Sequence, residues 1–354
     1  MQRFAWQSAR SVAEAATLAT RTVAAAMLAD PAQPTAPDQV VLKAGGIDLL
    51  DLMKEGLLRP GRVVNLREIP GLDGIAETGA GMRIGALVTL EQLAAHRVLR
   101  QRYTALADAA ACSASPQIRH VATLGGNLLQ RPQCWYFRSA AHRCSRKGGD
   151  HCFAFAGENQ YHAVFGQIGC AMVHPSTVAT ALAAFDAHVE VVNAQGATRS
   201  VRFGDFVVGP DTDITRETDM RNGEVLTAVL LPPVPASARS AFLKQGEKSF
   251  DWSIADVAVV LDRAPDGRCQ RASVVLGAAA PVPWRAPQAE AALVRQMIDV
   301  TVAHAAGQAA IAGAVALPPN AYKLPILATL VRRAVLQAAG ATHQAGATNL
   351  EIVR

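Results

Sequence analysis

Four of the six cysteines in this sequence lie between residues 123 and 175, in the spacing C-x9-C-x7-C-x17-C. They are Cys134, Cys144, Cys152 and Cys170. The stretch has no sustained hydrophobic period and is rich in turn-forming residues, so we expect neither an ordinary helix nor a strand there. It is also longer than a plain connection within a compact domain. Since four thiolates can hold a metal centre, and metal binding can order such a segment, we predict a metal site.

The spacing of the cysteines bears on which metal centre this would be. Structural zinc sites typically contain close C-x2–4-C pairs, and this stretch has none. A [4Fe-4S] cluster with four cysteine ligands suits wide spacing in a folded loop, so we favour it over zinc and over free or disulfide-linked thiols. A histidine could replace one ligand. The candidates are His142, His151, His162 and His174. Cys112 and Cys269 are expected to be ordinary buried residues.

Basic and aromatic residues accompany the cysteines. Positive charge near an anionic cluster should favour its reduced form, although a solvated basic loop or a partner-docking face explains the charge equally well. The aromatic residues 135–137 could shield a cluster from water or serve as ordinary core. The basic residues are Arg131, Arg138, Arg143, Arg146 and Lys147.

Two Gly-Gly turns could bind an anion. In residues 40–52 an apolar strand runs through Gly45-Gly46 into a helix, whose N-terminal N–H groups and dipole favour a phosphate. The full G-x-G-x-x-G pattern is absent, so a plain strand–helix turn is the commoner explanation of this turn alone. Gly125-Gly126 follows another apolar segment, 80 residues later. The two turns could converge on one pyrophosphate.

Composition limits the possible functions. The chain has 354 residues, 50% hydrophobic and 18% charged, with a net charge of +5, which is typical of a soluble protein of two or three domains. It has no Lys/Arg run that would indicate nucleic acid and no apolar run near the length of a membrane span. The first 30 residues could pass for an arginine-rich targeting segment, but a capping box at Ser11 and Glu14 favours a folded helix.

The rest of the chain has patterns typical of strands and of helices. Residues 240–244, 255–261 and 271–278 are typical of antiparallel strands, and residues 286–298, 299–312 and 323–339 of helices. No nucleophile–base or paired-carboxylate motif stands at a recognisable spacing, as expected where a cofactor does the chemistry.

Together these motifs resemble the FAD subunits of molybdenum hydroxylases, the xanthine dehydrogenase and carbon monoxide dehydrogenase group. Residues 44–49 look like the first flavin-binding turn of that family and residues 123–127 like the second. The N-terminal pattern of that family is matched by Phe4 and residues 11–16. The start of its C-terminal domain is resembled by Leu243-Lys244 and residues 249–251. The cysteine stretch is similar to the subset with an extra [4Fe-4S] cluster, above all the periplasmic aldehyde oxidoreductase type.

The resemblance implies an α+β protein. It would consist of a two-lobed α/β FAD-binding domain of the PCMH type, followed by an α+β C-terminal domain with a small antiparallel sheet and helices. We expect lobes at 1–60 and 61–232, a cluster loop at 131–172 and a last domain at 236–354. Cys134, Cys144, Cys152 and Cys170 would ligate the cluster. The residues expected to bind FAD are Lys43, Ala44, Gly45, Gly46, Ile47, Asp48, Leu49, Thr123, Gly125, Gly126, Asn127, Ser176, Thr177 and Lys244.

One position departs from the family pattern. The helix after the cysteine stretch usually begins Pro-Ser-Asp, whereas this chain has Pro175-Ser176-Thr177. Threonine keeps the hydrogen-bonding capacity of that position but not its charge.

The resemblance further implies a role in electron transfer. The chain would receive electrons from a molybdopterin-binding large subunit and a [2Fe-2S] small subunit and pass them to an external acceptor. Xanthine dehydrogenase and hydroxybenzoyl-CoA reductase types are alternatives to an aldehyde oxidoreductase, and a non-redox nucleotide-binding scaffold with structural zinc is the rival of another class. We expect a cytoplasmic complex, or a periplasmic one exported with a signal-bearing partner.

Overall fold

A computed structural model describes residues 2–28 and 39–340, so residues 341–354 of the predicted last domain lie outside the described part. The N-terminal layer is a three-stranded parallel sheet in the order β1-β3-β2, with the glycine turn leading from β2 into α3. Its strands are β1 (Ala5–Ser8), β2 (Val40–Lys43) and β3 (Arg62–Asn65), and its helices are α1 (Val12–Leu18), α2 (Val23–Met27) and α3 (Ile47–Lys54).

The predicted cap of the first helix is present. The Ser11 side chain accepts a hydrogen bond from the Glu14 N–H at 3.1 Å. The Glu14 carboxylate accepts one from the N–H of Arg10, rather than from Ser11 as in a standard capping box. Ala15 and Ala16 on α1 are buried, so this segment packs as part of the folded domain.

The middle layer is a five-stranded antiparallel sheet in the order β4-β5-β8-β6-β7. Nearly all of β8 is buried because helices cover the sheet. The strands are β4 (Ile75–Thr78), β5 (Gly81–Gly85), β6 (His188–Asn193), β7 (Thr198–Arg202) and β8 (Glu224–Leu231). The helices are α4 (Leu90–Ala95), α5 (Arg97–Arg102), α6 (Thr104–Ala111), α7 (Pro116–Arg119), α8 (Leu124–Leu128), α9 (Thr177–Ala184) and α10 (Phe203–Phe206).

The C-terminal layer is a four-stranded antiparallel sheet in the order β12-β11-β10-β9, packed against three helices. The strands and helices predicted for this region are present, with ends shifted by a few residues. They are β9 (Arg239–Gly246), β10 (Ser253–Arg263), β11 (Cys269–Gly277), β12 (Trp284–Arg285), α11 (Pro287–Leu293), α12 (Val300–Ala310) and α13 (Lys323–Ala339). Among the described residues, no helix combines the length and apolar character that crossing a membrane requires.

The cysteine segment, residues 131–172, joins α8 to α9 with two short 3-10 helices as its regular structure, as the sequence predicts. It is held partly by the C-terminal layer. The Val164 N–H donates to Ala279 O at 2.8 Å and the His174 N–H, just beyond the segment, to Ala280 O at 2.9 Å. Nζ of the buried Lys323 on α13 donates to the carbonyls of His162 and Ala278 at 2.9 and 2.6 Å. The segment therefore has tertiary anchors besides any metal.

Candidate functional site

A cavity of about 410 Å³ lies where the three layers meet. We call it the large cavity. It brings together residues from the β2–α3 turn, from α8 and from β9, which are far apart in sequence. Thirteen of the predicted cofactor residues line it: Lys43, Ala44, Gly45, Gly46, Ile47, Asp48, Leu49, Thr123, Gly125, Gly126, Asn127, Thr177 and Lys244. Ser176 contributes indirectly, through a hydrogen bond to Asn127.

The first glycine turn requires glycine at both positions. Gly46 has φ +86°, in the left-handed region that other residues rarely adopt, and forms the N-cap of α3. A Cβ on Gly45 would lie 2.3 Å from the carbonyl oxygen of Val121. The first turn thus packs against the backbone that leads into α8. Since Gly46 has no side chain, the first N–H groups of α3 receive no side-chain cap.

The second glycine pair, which the sequence suggests is a turn after an apolar segment, lies in the first turn of the short helix α8. Thr123 caps this helix by accepting a hydrogen bond from the Gly126 N–H at 3.2 Å. The Gly125 N–H donates to Ala86 O at 2.8 Å. These N–H groups are therefore already bonded within the protein, and a Cβ on Gly125 would lie 3.0 Å from Ala86. Close packing explains Gly125 better than phosphate binding does.

The start of α9 supports the large cavity with hydroxyl groups. Ser176 caps α9, and its hydroxyl donates to Oδ1 of Asn127 at 2.6 Å, which orients that amide. The Thr177 hydroxyl lies 2.5 Å from that of Ser113 and donates to Ala109 O at 3.2 Å. The threonine that replaces the family aspartate thus belongs to a buried neutral network, and no charge enters the cavity at this position.

Charged side chains at the large cavity are held by the protein itself. Lys244 Nζ donates to Asp251 O at 2.6 Å and to Cys112 O at 2.9 Å. Burial lowers the pKa of Lys244 and of Lys43. Asp48 accepts hydrogen bonds from the N–H of Arg131 at 2.9 Å and from the Arg138 side chain. Asp48 therefore fixes the cysteine segment besides lining the cavity.

Several residues of the large cavity were not found from the sequence. Five residues of the segment 216–221, all but Asp219, also line it, as do Arg21 and the exposed aromatic residues Phe250 and Trp252. The 216–221 segment carries no motif, since its residue types are those of an ordinary polar loop. Phe250 belongs to the family pattern at residues 249–251 but was not predicted to contact the cofactor. It lines the cavity because the connection between β9 and β10 lies there.

A second, smaller cavity is lined by all four predicted cysteine ligands, Cys134, Cys144, Cys152 and Cys170. We call it the cysteine cavity. Tyr136, Phe137, Phe153 and Met172 also line it. Cys269 is buried elsewhere as expected, in the C-terminal core. Cys112 is exposed, so its predicted burial is wrong; it lies just after α6, where the chain returns to the surface.

The thiols of the cysteine cavity are poorly hydrated. Burial raises the pKa of Cys134 to about 11 and raises that of Cys144. A hydrogen bond between Cys152 and Cys170 lowers the pKa of Cys152 and raises that of Cys170. Of the four histidines considered as ligands, His162 contacts a cysteine, with Nε2 3.2 Å from Cys134 Sγ. Burial lowers the pKa of His162 to about 4, so the ring is neutral near pH 7.

The four cysteines do not form a site for a single metal ion. Within residues 2–28 and 39–340, no three His, Cys, Asp or Glu side chains come close enough together to hold one ion. A tetrahedral zinc site needs sulfur ligands about 2.3 Å from one centre. The four thiols line one cavity without that arrangement; cysteine thiolates are also the ligands of iron–sulfur clusters.

A buried ion-pair network links residues of the two cavities. Glu217 binds Arg131 at 2.8 Å through one carboxylate oxygen and Arg146 at 2.7 Å through the other. All three side chains are at most 6% exposed. Arg131 and Glu217 line the large cavity, whereas Arg146 lines the cysteine cavity. Although burial opposes the charge of Arg146, Glu217 and Cys170 hold the pKa of its guanidinium above the usual value.

Known proteins resemble this chain over most of its length. Residues 2–234 match the family model for the FAD binding domain in molybdopterin dehydrogenase, and residues 240–338 match the CO dehydrogenase flavoprotein C-terminal domain. The aldehyde oxidoreductase FAD-binding subunit of Escherichia coli (strain K12) is 36% identical over 83% of this chain and 86% of its own length. The carbon monoxide dehydrogenase medium chain of Afipia carboxidovorans is 28% identical over 95% of this chain and 96% of its own length.

The fold is also shared with solved structures. Carbon monoxide dehydrogenase from Hydrogenophaga pseudoflava superposes with a TM-score of 0.70 at 28% identity and covers 96% of this chain and 98% of its own. The predicted α+β fold and the predicted family are thereby confirmed. The chain belongs to the family of FAD-binding subunits of the molybdopterin dehydrogenases, the molybdenum hydroxylases.

Proposed function

We propose that this chain carries FAD in the large cavity and a [4Fe-4S] cluster in the cysteine cavity, as the electron-transfer subunit of a molybdenum-dependent aldehyde oxidoreductase. Electrons would come from a molybdopterin-binding large subunit and a [2Fe-2S] small subunit and leave to an external acceptor. When bound, FAD and the cluster supply the redox chemistry. The observation that carries the proposal is the Arg131–Glu217–Arg146 network, whose members line both cavities.

The first glycine turn is the part of the chain that suits a pyrophosphate. Gly45 and Gly46 let the backbone approach a ligand closely, and the N-terminus of α3 offers N–H groups and a favourable dipole. Lys43, which also lines the cavity, supplies a positive charge. Asn127, oriented by Ser176, offers an amide on the opposite wall. We infer that the α3 turn binds the phosphates, whereas α8 shapes the cavity around the rest of the cofactor.

The donor set of the cysteine cavity supports a cluster. Without a bound metal, Cys134, Cys144 and Cys170 would stay protonated, since burial raises the pKa of Cys134 and Cys144 and the hydrogen bond with Cys152 raises that of Cys170. Ligation to iron deprotonates them and supplies the missing positive charge. Tyr136, Phe137 and Phe153 would exclude water from the cluster. Four cysteines around one space favour this group over a single zinc ion.

The identity of the complex rests on the relatives. The Escherichia coli relative at 36% identity is the FAD-binding subunit of an aldehyde oxidoreductase, whereas the xanthine dehydrogenase FAD-binding subunit of Escherichia coli O157:H7 is 28% identical. We therefore expect an aldehyde rather than a purine as the substrate of the whole complex. Pure complex should lose flavin absorbance when an aldehyde is added without an acceptor, and reduction by a purine instead would contradict this assignment.

Cofactor analysis of the purified complex tests the rest of the proposal. We expect one FAD and, beyond the iron of the small subunit, four iron atoms per chain. The broad visible absorbance should bleach with dithionite. Zinc in place of that iron would contradict the cluster and leave the FAD assignment standing. A complex without flavin would contradict the assignment of the large cavity.

A further inference from the structure

Arg146 is a buried cation in direct contact with one of the four cysteines. Its Nε donates a hydrogen bond to Cys170 Sγ at 3.2 Å. The side chain is 2% exposed and lines the cysteine cavity. Burial of a guanidinium is costly unless all its donors are bonded. A donor of Arg146 without a partner in the protein would therefore indicate that the cavity binds a group with acceptor atoms.

One of those donors has no partner within the described chain. Nη1 of Arg146 binds Glu217 at 2.7 Å and Arg216 O at 3.3 Å. Nη2 is buried and bonds to no atom of the described residues. An unsatisfied buried N–H group costs free energy. A bound group with acceptor atoms in the cysteine cavity would remove that cost.

Glu217 holds Arg146 in this position. The carboxylate binds Arg146 on one side and Arg131 on the other, and it is itself 6% exposed. The three side chains together carry one net positive charge beside the cysteine cavity. Because they are shielded from water, this charge is screened far less than that of an exposed residue such as Arg143 in the same segment.

We propose that Arg146 donates hydrogen bonds to Cys170 and to sulfur of the cluster, and that its charge, positioned by Glu217, raises the reduction potential of that cluster. The proposal rests on the function proposed above, since it requires the [4Fe-4S] group. Reduction adds a negative charge to the cluster, and a nearby buried cation stabilises the reduced form more than the oxidised one. Hydrogen bonds to the sulfur atoms act in the same direction.

Redox titration of the purified complex, followed by the electron paramagnetic resonance signal of the reduced cluster, tests this inference. At a fixed potential, Arg146→Met should shift the ratio of reduced to oxidised cluster about tenfold toward the oxidised form, a fall of about 59 mV for one electron. Glu217→Gln should shift it the other way, because the network then carries more positive charge. Arg143→Met, the matched control, removes the same charge from an exposed position and should cause no shift.

Iron and flavin content measured in each variant separates the outcomes. Full iron with an unchanged potential in Arg146→Met would overturn the inference, and so would an Arg146→Lys variant whose potential falls as far as that of the methionine variant. Loss of iron from Arg146→Met, Arg146→Lys and Glu217→Gln alike would show that Arg146 assembles the site rather than sets its potential. Absence of the cluster from the unmodified complex would instead contradict the proposed function.

Discussion

The main-chain N–H of Arg131 donates a hydrogen bond of 2.9 Å to Oδ2 of Asp48. Asp48 lies in the first turn of α3 and lines the large cavity, whereas Arg131 begins the cysteine segment. The other oxygen of Asp48 accepts from Gln133 at 3.2 Å and from Arg138. One carboxylate thus ties the glycine turn to the segment that carries the cysteines, so the two sites are expected to form together.

Replacing Asp48 should weaken both sites. In Asp48→Ala the N–H of Arg131 loses its acceptor and the guanidinium of Arg138 loses its carboxylate partner, and each hydrogen bond to a charged group contributes about 1.5–3 kcal/mol. We expect lower iron and lower flavin per chain, and earlier cleavage of the cysteine segment in limited proteolysis. Asp51→Ala is the control, since Asp51 is exposed and lies 3.8 Å from Arg138. Equal losses in the two variants would contradict the role given to Asp48.

The loss of flavin caused by a glycine-to-alanine substitution should depend on the atoms that the new Cβ contacts. In Gly45→Ala the methyl group would lie 2.3 Å from the backbone oxygen of Val121, so the first glycine turn and the segment that leads into α8 must move apart. In Gly126→Ala it would meet the Thr123 side chain at 3.0 Å, which can adjust. Flavin content should fall strongly in the first variant and slightly in the second. Gly74→Ala, with no atom within 4 Å, is the neutral control. A greater loss of flavin in Gly126→Ala than in Gly45→Ala would refute this order.

Removal of Lys323 should loosen the cysteine segment from the C-terminal layer. Lys323→Met leaves the carbonyl of Ala278 without its donor and that of His162 with Asn320 alone, and a buried carbonyl without a donor costs about 1–3 kcal/mol. Denaturant unfolding should show the loss of stability, and iron should be lost before flavin. Arg333→Met, at an exposed position of the same helix, serves as the control. Unchanged stability in Lys323→Met would show that these contacts do not anchor the segment.

Buried His174 should make stability depend on pH. Burial lowers its pKa to about 4, from 6.5. Between these values the unfolded chain binds a proton that the folded chain does not, so stability falls as pH falls from 6.5 to 4. At about 1.4 kcal/mol per pH unit this amounts to roughly 3 kcal/mol. The free energy of unfolding of His174→Gln should fall less over that range, and parallel curves for variant and parent would contradict the prediction.

Much of the fold follows from local sequence. The 17-residue helix α13 has buried residues such as Leu327, Val331 and Val335 at helical spacing, and the first glycine turn follows an apolar strand. The irregular cysteine segment was also predictable, because its turn-formers and spacing exclude regular structure. Each of these features is determined by residues close together in the sequence, so a sequence pattern can predict it.

Contacts between distant segments could not be predicted in the same way. Glu217 and Arg146 are 71 residues apart, and a lone glutamate in a polar loop has no distinguishing pattern. The second glycine pair looks like a turn in sequence, but hydrogen bonds to Thr123 and Ala86 make it the start of a helix. The exposure of Cys112 likewise depends on where α6 ends relative to β9, which composition does not encode.

In the proposed function, Cys134, Cys144, Cys152 and Cys170 hold one iron–sulfur cluster. The decisive measurement is iron per chain in the purified complexes of the six single cysteine-to-serine variants. We predict that each change within the set of four lowers iron while most flavin remains, and that Cys112→Ser and Cys269→Ser keep full iron. Loss of iron in Cys112→Ser together with full iron in Cys144→Ser would show that this ligand set is wrong.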